Sequence, residues 1–267
     1  MLGAIFGDIV GSVYEFDNTH DYNFRLLSDS SEITDDSVMT LAVARGLMNS
    51  FGKCDSEIKK ELIDSMKELG KRYPYAGYGS KFFYWVLGDD RKPYNSFGNG
   101  SAMRVSSAGW MFDSLKETEH MAGLTAAVTH NHPEGIKGAE ATAAAIFMAR
   151  TGRSKEEIRK YIESVYHYDL DKNMKDIVSK GHGQEICQVS VPQALVCFLH
   201  SDSYIDTIRK AVSIGGDSDT IACIAGSVAE AFYGMDEEYI EETMKRLPDD
   251  LKDIVTAFEG YRKNRVE

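Results

Sequence analysis

Two helical runs in this sequence are almost free of charge, and each begins at a cluster of carboxylates. Across residues 37–51 the only charged residue is Arg45, and across residues 220–233 it is Glu230. A helix that is apolar around most of its circumference belongs inside a protein, so other helices must wrap both runs. The preceding motifs, Thr34-Asp35-Asp36-Ser37 and Gly215-Gly216-Asp217-Ser218-Asp219-Thr220, then stand at the mouths of buried helices. If the two mouths converge, four carboxylates repel one another and raise one another's pKa. A divalent cation is the simplest way to keep them ionised.

The rest of the chain supports a helical setting. Apolar residues recur at helical spacing, strong alternating segments are absent, and only 5 prolines occur; the fold class is all-α, a single-domain orthogonal helical bundle over residues 1–267. Helices are predicted over residues 2–14, 35–51, 55–73, 78–87, 100–112, 117–129, 134–150, 154–166, 189–200, 203–213, 219–234, 236–245 and 249–263. A formal charge of -12 speaks against a generic nucleic-acid surface, which needs clustered Lys and Arg. It leaves room for a small phosphorylated ligand held by backbone amides. No membrane span or basic signal-peptide start is read, and a cytoplasmic monomer is expected. Cys54, Cys187, Cys197 and Cys223 lack CxxC spacing, so reduced thiols are expected.

Gly3, Gly7 and Gly11 strip one stripe of the first helix and invite a close helical neighbour. Asp8, the only charge before Glu15, is either a hydrogen-bonded organiser of a loop or a direct ligand. The candidate metal ligands Thr34, Asp35, Asp36, Asp217, Asp219 and Thr220 offer only oxygen, which suits Mg2+ or Mn2+. Ordinary N-capping explains either motif alone, because Ser, Thr and Asp favour helix starts. The excess of oxygen-bearing side chains at both favours a metal. Residues 97–104 form a glycine-rich loop in which the amides of Gly98, Gly100 and Ser101 are placed to cradle a diphosphate, unless Asn99 or Ser101 simply caps a turn. His130 and His132 flank a turn, without the further ligands that zinc needs. Gly181-His182-Gly183 reads as a flexible loop beside a cleft.

In this order the pieces resemble the ADP-ribosylglycohydrolase family, of the dinitrogenase reductase-activating glycohydrolase and ADP-ribosyl-acceptor hydrolase type. The resemblance rests on Gly7-Asp8 through Gly11-Ser12 to Glu15, on the two Asp motifs, on residues 98–104, on Thr129-His130 and on residues 191–195. It implies a two-metal cleft, with the six oxygen-bearing residues as metal-site positions. It further implies contacts to ADP-ribose from the loop residues Gly98, Asn99, Gly100, Ser101 and Met103 and from His130, with Glu15 on a mobile entrance segment. Glu15, Asp36 and Asp217 are the acid–base candidates. The expected activity is hydrolysis of the bond joining ADP-ribose to a protein side chain or small acceptor. A silent ADP-ribose-binding or crystallin-like protein and a nucleotide phosphohydrolase are the alternatives. The acceptor is set by cleft walls such as residues 16–33 and 74–96, which carry no readable code.

Overall fold

Helix placement follows from where side chains are missing. The computed structural model describes residues 1–178 and 185–266, the side chains of 264–266 aside. Its helices are α1 (Leu2–Gly11), α2 (Asp35–Asn49), α3 (Asp55–Arg72), α4 (Ser80–Leu87), α5 (Gly100–Met103), α6 (Ser106–Met111) and α7 (Leu115–Ala127). They continue as α8 (Pro133–Arg150), α9 (Lys155–Tyr166), α10 (Cys187–Leu199), α11 (Tyr204–Ser213), α12 (Ser218–Tyr233), α13 (Glu237–Arg246) and α14 (Asp249–Val266). Among the described residues the one isolated β-bridge joins Gly98 to Ile186, and the architecture is an all-helical single-domain bundle. No described helix is long and apolar enough to cross a membrane.

Every residue of α1 is buried, and so is α12 from Ser218 to Ala229. The two helices press backbone against backbone. A Cβ on Gly3 would lie 2.6 Å from the Gly226 carbonyl oxygen, one on Gly7 2.2 Å from that of Ala222, and one on Gly11 2.4 Å from the Asp219 Cα. The glycine stripe thus has its neighbour in α12, the second charge-poor run. Around this pair, α8, α10 and α11 cover α12, while α2 packs on α3, α6 and α14. The buried apolar side chains form one contiguous core. Each lone charge in the two runs is paired: Arg45 meets Glu68 at 3.1 Å and Ser65 at 2.9 Å, and Glu230 accepts from the Gly3 amide at 2.9 Å.

Two expectations need correction. The helix predicted over 100–112 breaks at Arg104 and Val105, because the fully buried Arg104 guanidinium turns to reach the Thr125 carbonyl at 3.1 Å and Thr129 Oγ at 2.7 Å. The first helix also tightens into a 3-10 turn, Ser12–Tyr14. Cys187, Cys197 and Cys223 are buried and Cys54 is exposed, all four as free thiols.

Packing this close gives one substitution two signs. Gly7→Ala should cost at least about 1–3 kcal/mol, because the colliding partner is backbone. Gly260→Ala in α14, where a Cβ meets nothing within 4 Å, should gain up to about 1 kcal/mol of helix propensity. Urea denaturation of both variants checks the pair.

Candidate metal centre and cleft

The N-terminus of α2 is held in place from α1. Thr34 caps it, its Oγ accepting from the Asp36 amide at 3.2 Å. Fully buried Asp8 accepts from Thr34 Oγ at 2.7 Å and from the amides of Thr34 and Ser37 at 2.9 and 3.1 Å, together with the Ser37 hydroxyl. With four donors on its two oxygens, Asp8 organises the turn. It thereby sets Asp36 facing α12, where Asp36 Oδ2 accepts from Thr220 Oγ at 3.0 Å. The Thr220 amide donates to Asp219 Oδ1 at 2.9 Å, and Asp217 Oδ2 is held by Asn99 Nδ2 at 2.5 Å.

Two carboxylate triads result. One oxygen each from Asp8, Asp36 and Asp219 lie within 4.8 Å of one another, and so do oxygens of Glu15, Asp217 and Asp219. Asp219 belongs to both. Asp36 Oδ1 is buried and has no hydrogen-bond partner in the protein, and an unpaired buried carboxylate oxygen is costly. That orphaned atom and an all-oxygen donor set fit a hard divalent cation. Asp35 lies outside both triads, with its amide on the Ala76 carbonyl at 2.7 Å.

The electrostatics follow from burial. Burial pushes Asp8 up to about 6, against its hydrogen bonds from Ser37 and Thr34. Burial first and neighbouring carboxylates second raise Glu15 to about 7 and hold Asp35, Asp36 and Asp219 well above the usual carboxylate range.

A cavity of about 390 Å³ opens beside these groups. Glu15, Asp35, Asp36, Asp217, Asp219 and Thr220 line it, with Gly98, Asn99, Gly100, Met103 and His130. Thr34 and Ser101 are not among the lining residues; Ser101 is fully buried and donates to the Gly135 carbonyl at 2.7 Å. Two loop amides are engaged within the protein: that of Gly98 by Ser96 Oγ at 3.1 Å, and that of Asn99 by the Glu185 carbonyl at 3.1 Å.

Burial, and then Arg104, hold the His130 imidazole well below its ordinary value, so it is neutral. Its Nδ1 sits 2.8 Å from Thr129 Oγ, which already accepts from Arg104. The far ring nitrogen, Nε2, faces the glycine loop. That nitrogen would lie 3.2 Å from a Cβ at Gly100, so the glycine makes room for it. His132 caps α8, its Nδ1 accepting from the Glu134 amide.

Some groups at the site carry no signal that sequence reasoning found. Glu185 lines the cavity, whereas Asn18 bonds Glu15 and Gly216 from outside it. Arg104, Tyr94 and the stretch from Gly79 to Phe82 also line the cavity, within the loop motif and the wall that the sequence marked only as segments. Of the two expected walls, 74–96 contributes and 16–33 does not. Gly181-His182-Gly183 lies outside the described residues.

Comparison with known proteins adds a second line. A family model described as ADP-ribosylglycohydrolase matches residues 1–265. ADP-ribosylhydrolase ARH3 of Homo sapiens is 28% identical over 309 residues, covering 89% of this chain and 85% of its own. The ADP-ribosyl-(dinitrogen reductase) glycohydrolase of Rhodospirillum rubrum is 25% identical over 256 residues, covering 88% and 85%. A solved structure described as an ADP-ribosylglycohydrolase-related protein complex has a TM-score of 0.63 at 20% identity, over 98% of this chain and 97% of that one, a likeness of fold.

The raised carboxylates give stability a definite dependence on pH. In chelator the folded protein keeps protons on these groups that the unfolded chain releases near pH ~4. Their contribution is full below that value and is lost as pH rises through about 6 for Asp8 and about 7 for Glu15. His130 and the buried N-terminal ammonium of Met1, whose values burial lowers, work the other way, two groups against five. The chelated protein should melt at a lower temperature at pH ~8 than at pH ~6, and Mn2+ should raise Tm more at the higher pH. Glu140 is also raised, to about 7, but stands outside the triads, so the Mn2+ increment in scanning calorimetry is the quantity to compare.

Proposed function

Because the chain belongs to the ADP-ribosylglycohydrolase family, we propose that it is a divalent-metal-dependent hydrolase of ADP-ribose conjugates. It cleaves the N- or O-glycosidic bond to a modified protein side chain or small acceptor and releases ADP-ribose. The observation that carries this reading is the pair of carboxylate triads sharing Asp219, set beside a cavity that the glycine loop and His130 also line.

Thr34, Asp35, Asp36, Asp217, Asp219 and Thr220 would hold two ions, Mg2+ or Mn2+. When bound, these ions supply a fixed positive charge that orients the ribose diol and offsets the carboxylates around it. The Gly98–Ser101 loop meets the diphosphate chiefly through Gly100, since the Gly98 and Asn99 amides have partners of their own and Ser101 is fully buried. Neutral His130 presents Nε2 on the same side. Asn99 keeps Asp217 aimed at the cleft.

Proton handling falls to Glu15. It is partly buried, raised to about 7 and hydrogen-bonded to Asp219, so near neutral pH it can carry a proton and exchange it. It protonates the departing group as positive charge grows on the ribose, or takes a proton from the attacking water. Asp36 and Asp217 hold the site's geometry and face the cations.

Incubation with ADP-ribosyl-arginine and ADP-ribosyl-serine peptides, with chelator and with added Mg2+ or Mn2+, tests the proposal. Metal-dependent appearance of intact ADP-ribose is expected from at least one. Glu15→Gln should lower kcat by about 10²-fold or more, and Asp219→Ala should abolish turnover with the helical circular dichroism kept. Release of inorganic phosphate in place of ADP-ribose would identify a nucleotide phosphohydrolase, and binding without any product a silent binder.

A further inference from the structure

The residue that joins the two sides of the second triad does not line the cleft. Asn18 Oδ1 accepts from the Gly216 amide at 2.8 Å, and Asn18 Nδ2 donates to the Gly216 carbonyl at 2.9 Å. The same Nδ2 donates to the Tyr14 carbonyl at 2.6 Å and to that of Glu15 at 3.1 Å. Chemistry fixes this orientation, because an amide N–H can face only Oδ1 and the three carbonyls only Nδ2. The two-point pairing requires Gly216 to present its N–H and C=O to one side chain. Gly215 and Gly216, with φ of 73° and 84°, make that turn in a region that other residues rarely adopt. Asp217 follows the turn directly, and Glu15 lies three residues before Asn18. His20 touches the same region through Nδ1, 3.0 Å from the Ser213 carbonyl.

We propose that Asn18 is a positioning residue that ties the Glu15 backbone to the Gly215–Gly216 turn and so holds the Glu15 and Asp217 carboxylates at a fixed separation. This rests on the reading of that triad as part of a hydrolytic metal site. Without Asn18, Glu15 would follow its own connection to α1 and Asp217 would follow α12.

The test uses Asn18→Ala and Asn18→Asp, with His20→Ala as a control in the same segment. Asp keeps the acceptor for Gly216 and turns three donated hydrogen bonds into repulsion. Hydrogen exchange should quicken together in residues 13–17 and 213–217 of both Asn18 variants. Calorimetry should show Mn2+ bound about tenfold more weakly, as for other residues that orient ligands. With an ADP-ribosyl peptide, kcat should fall while KM stays near that of the unaltered protein, and Asn18→Ala should add no further loss to Glu15→Gln. His20→Ala, which loses only its own contact at Ser213, should match the unaltered protein in Mn2+ affinity and in kcat. Unchanged exchange at 213–217, Mn2+ affinity within about twofold, or an equal loss in His20→Ala would each overturn the proposal. If the unaltered protein turns over no ADP-ribosyl substrate, the hydrolase reading fails alone, and the exchange and Mn2+ measurements still decide the role of Asn18.

Discussion

Backbone contact between α1 and α12 is the constraint from which the rest of the molecule follows. With no side chains on Gly3, Gly7 and Gly11, the two helices approach to a distance that any Cβ would forbid. Gly11 meets Asp219 itself, so the end of α1 is pinned to the beginning of α12. Asp8, three residues before Gly11, then reaches across to the turn that starts α2, and Glu15, four residues after it, arrives at the rim. Three chain segments far apart in sequence deliver carboxylates to one place because two helices can touch there.

That convergence works against the fold's own electrostatics. Burial raises Asp36 and Asp219 before any neighbour is considered, and each further carboxylate raises them again. A stack of like charges in a dry interior is tolerable only if protons or cations enter it. Folding and ion uptake are therefore linked through the same groups. The hydrogen bonds from Thr34, Ser37, Asn99 and Thr220 fix where the oxygens point, and they leave Asp36 Oδ1 without a donor of its own.

Local patterns made much of this legible in the sequence. Helical periodicity located the helices, the stripe of glycines announced a close partner, and the excess of oxygen ligands at two helix starts pointed to Asp36, Asp217 and Asp219, which Asp8 and Glu15 complete into triads that leave Asp35 out. The family resemblance read from the motifs agrees with a match that spans residues 1–265. What stayed hidden depends on contacts between distant segments. The break at Arg104 arises because a guanidinium must reach Thr125 and Thr129, which no local propensity encodes. Asn18 sits in an ordinary polar stretch, and its partners at Gly216 are 198 residues away. The engagement of the Gly98 amide by Ser96 likewise needed coordinates, because a glycine-rich loop reads the same whether its amides are free or satisfied.

The cleft's two sides differ in how deeply they are rooted. The carboxylate side hangs from α1, α2 and α12 in the centre of the core. The facing wall, from Gly77 to Phe82, belongs to the start of the short helix α4, which leans on α3 and leaves Tyr84 and Leu87 in solvent. Phe82, Trp85 and Val86 still anchor α4 in the core, so the freedom on this side belongs to the exposed residues that lead into it, Gly77 and Gly79 to Lys81. A lineage built on this plan can therefore revise what enters the cleft by editing those few exposed residues that line it, while the machinery beneath is kept constant by the cost of moving it.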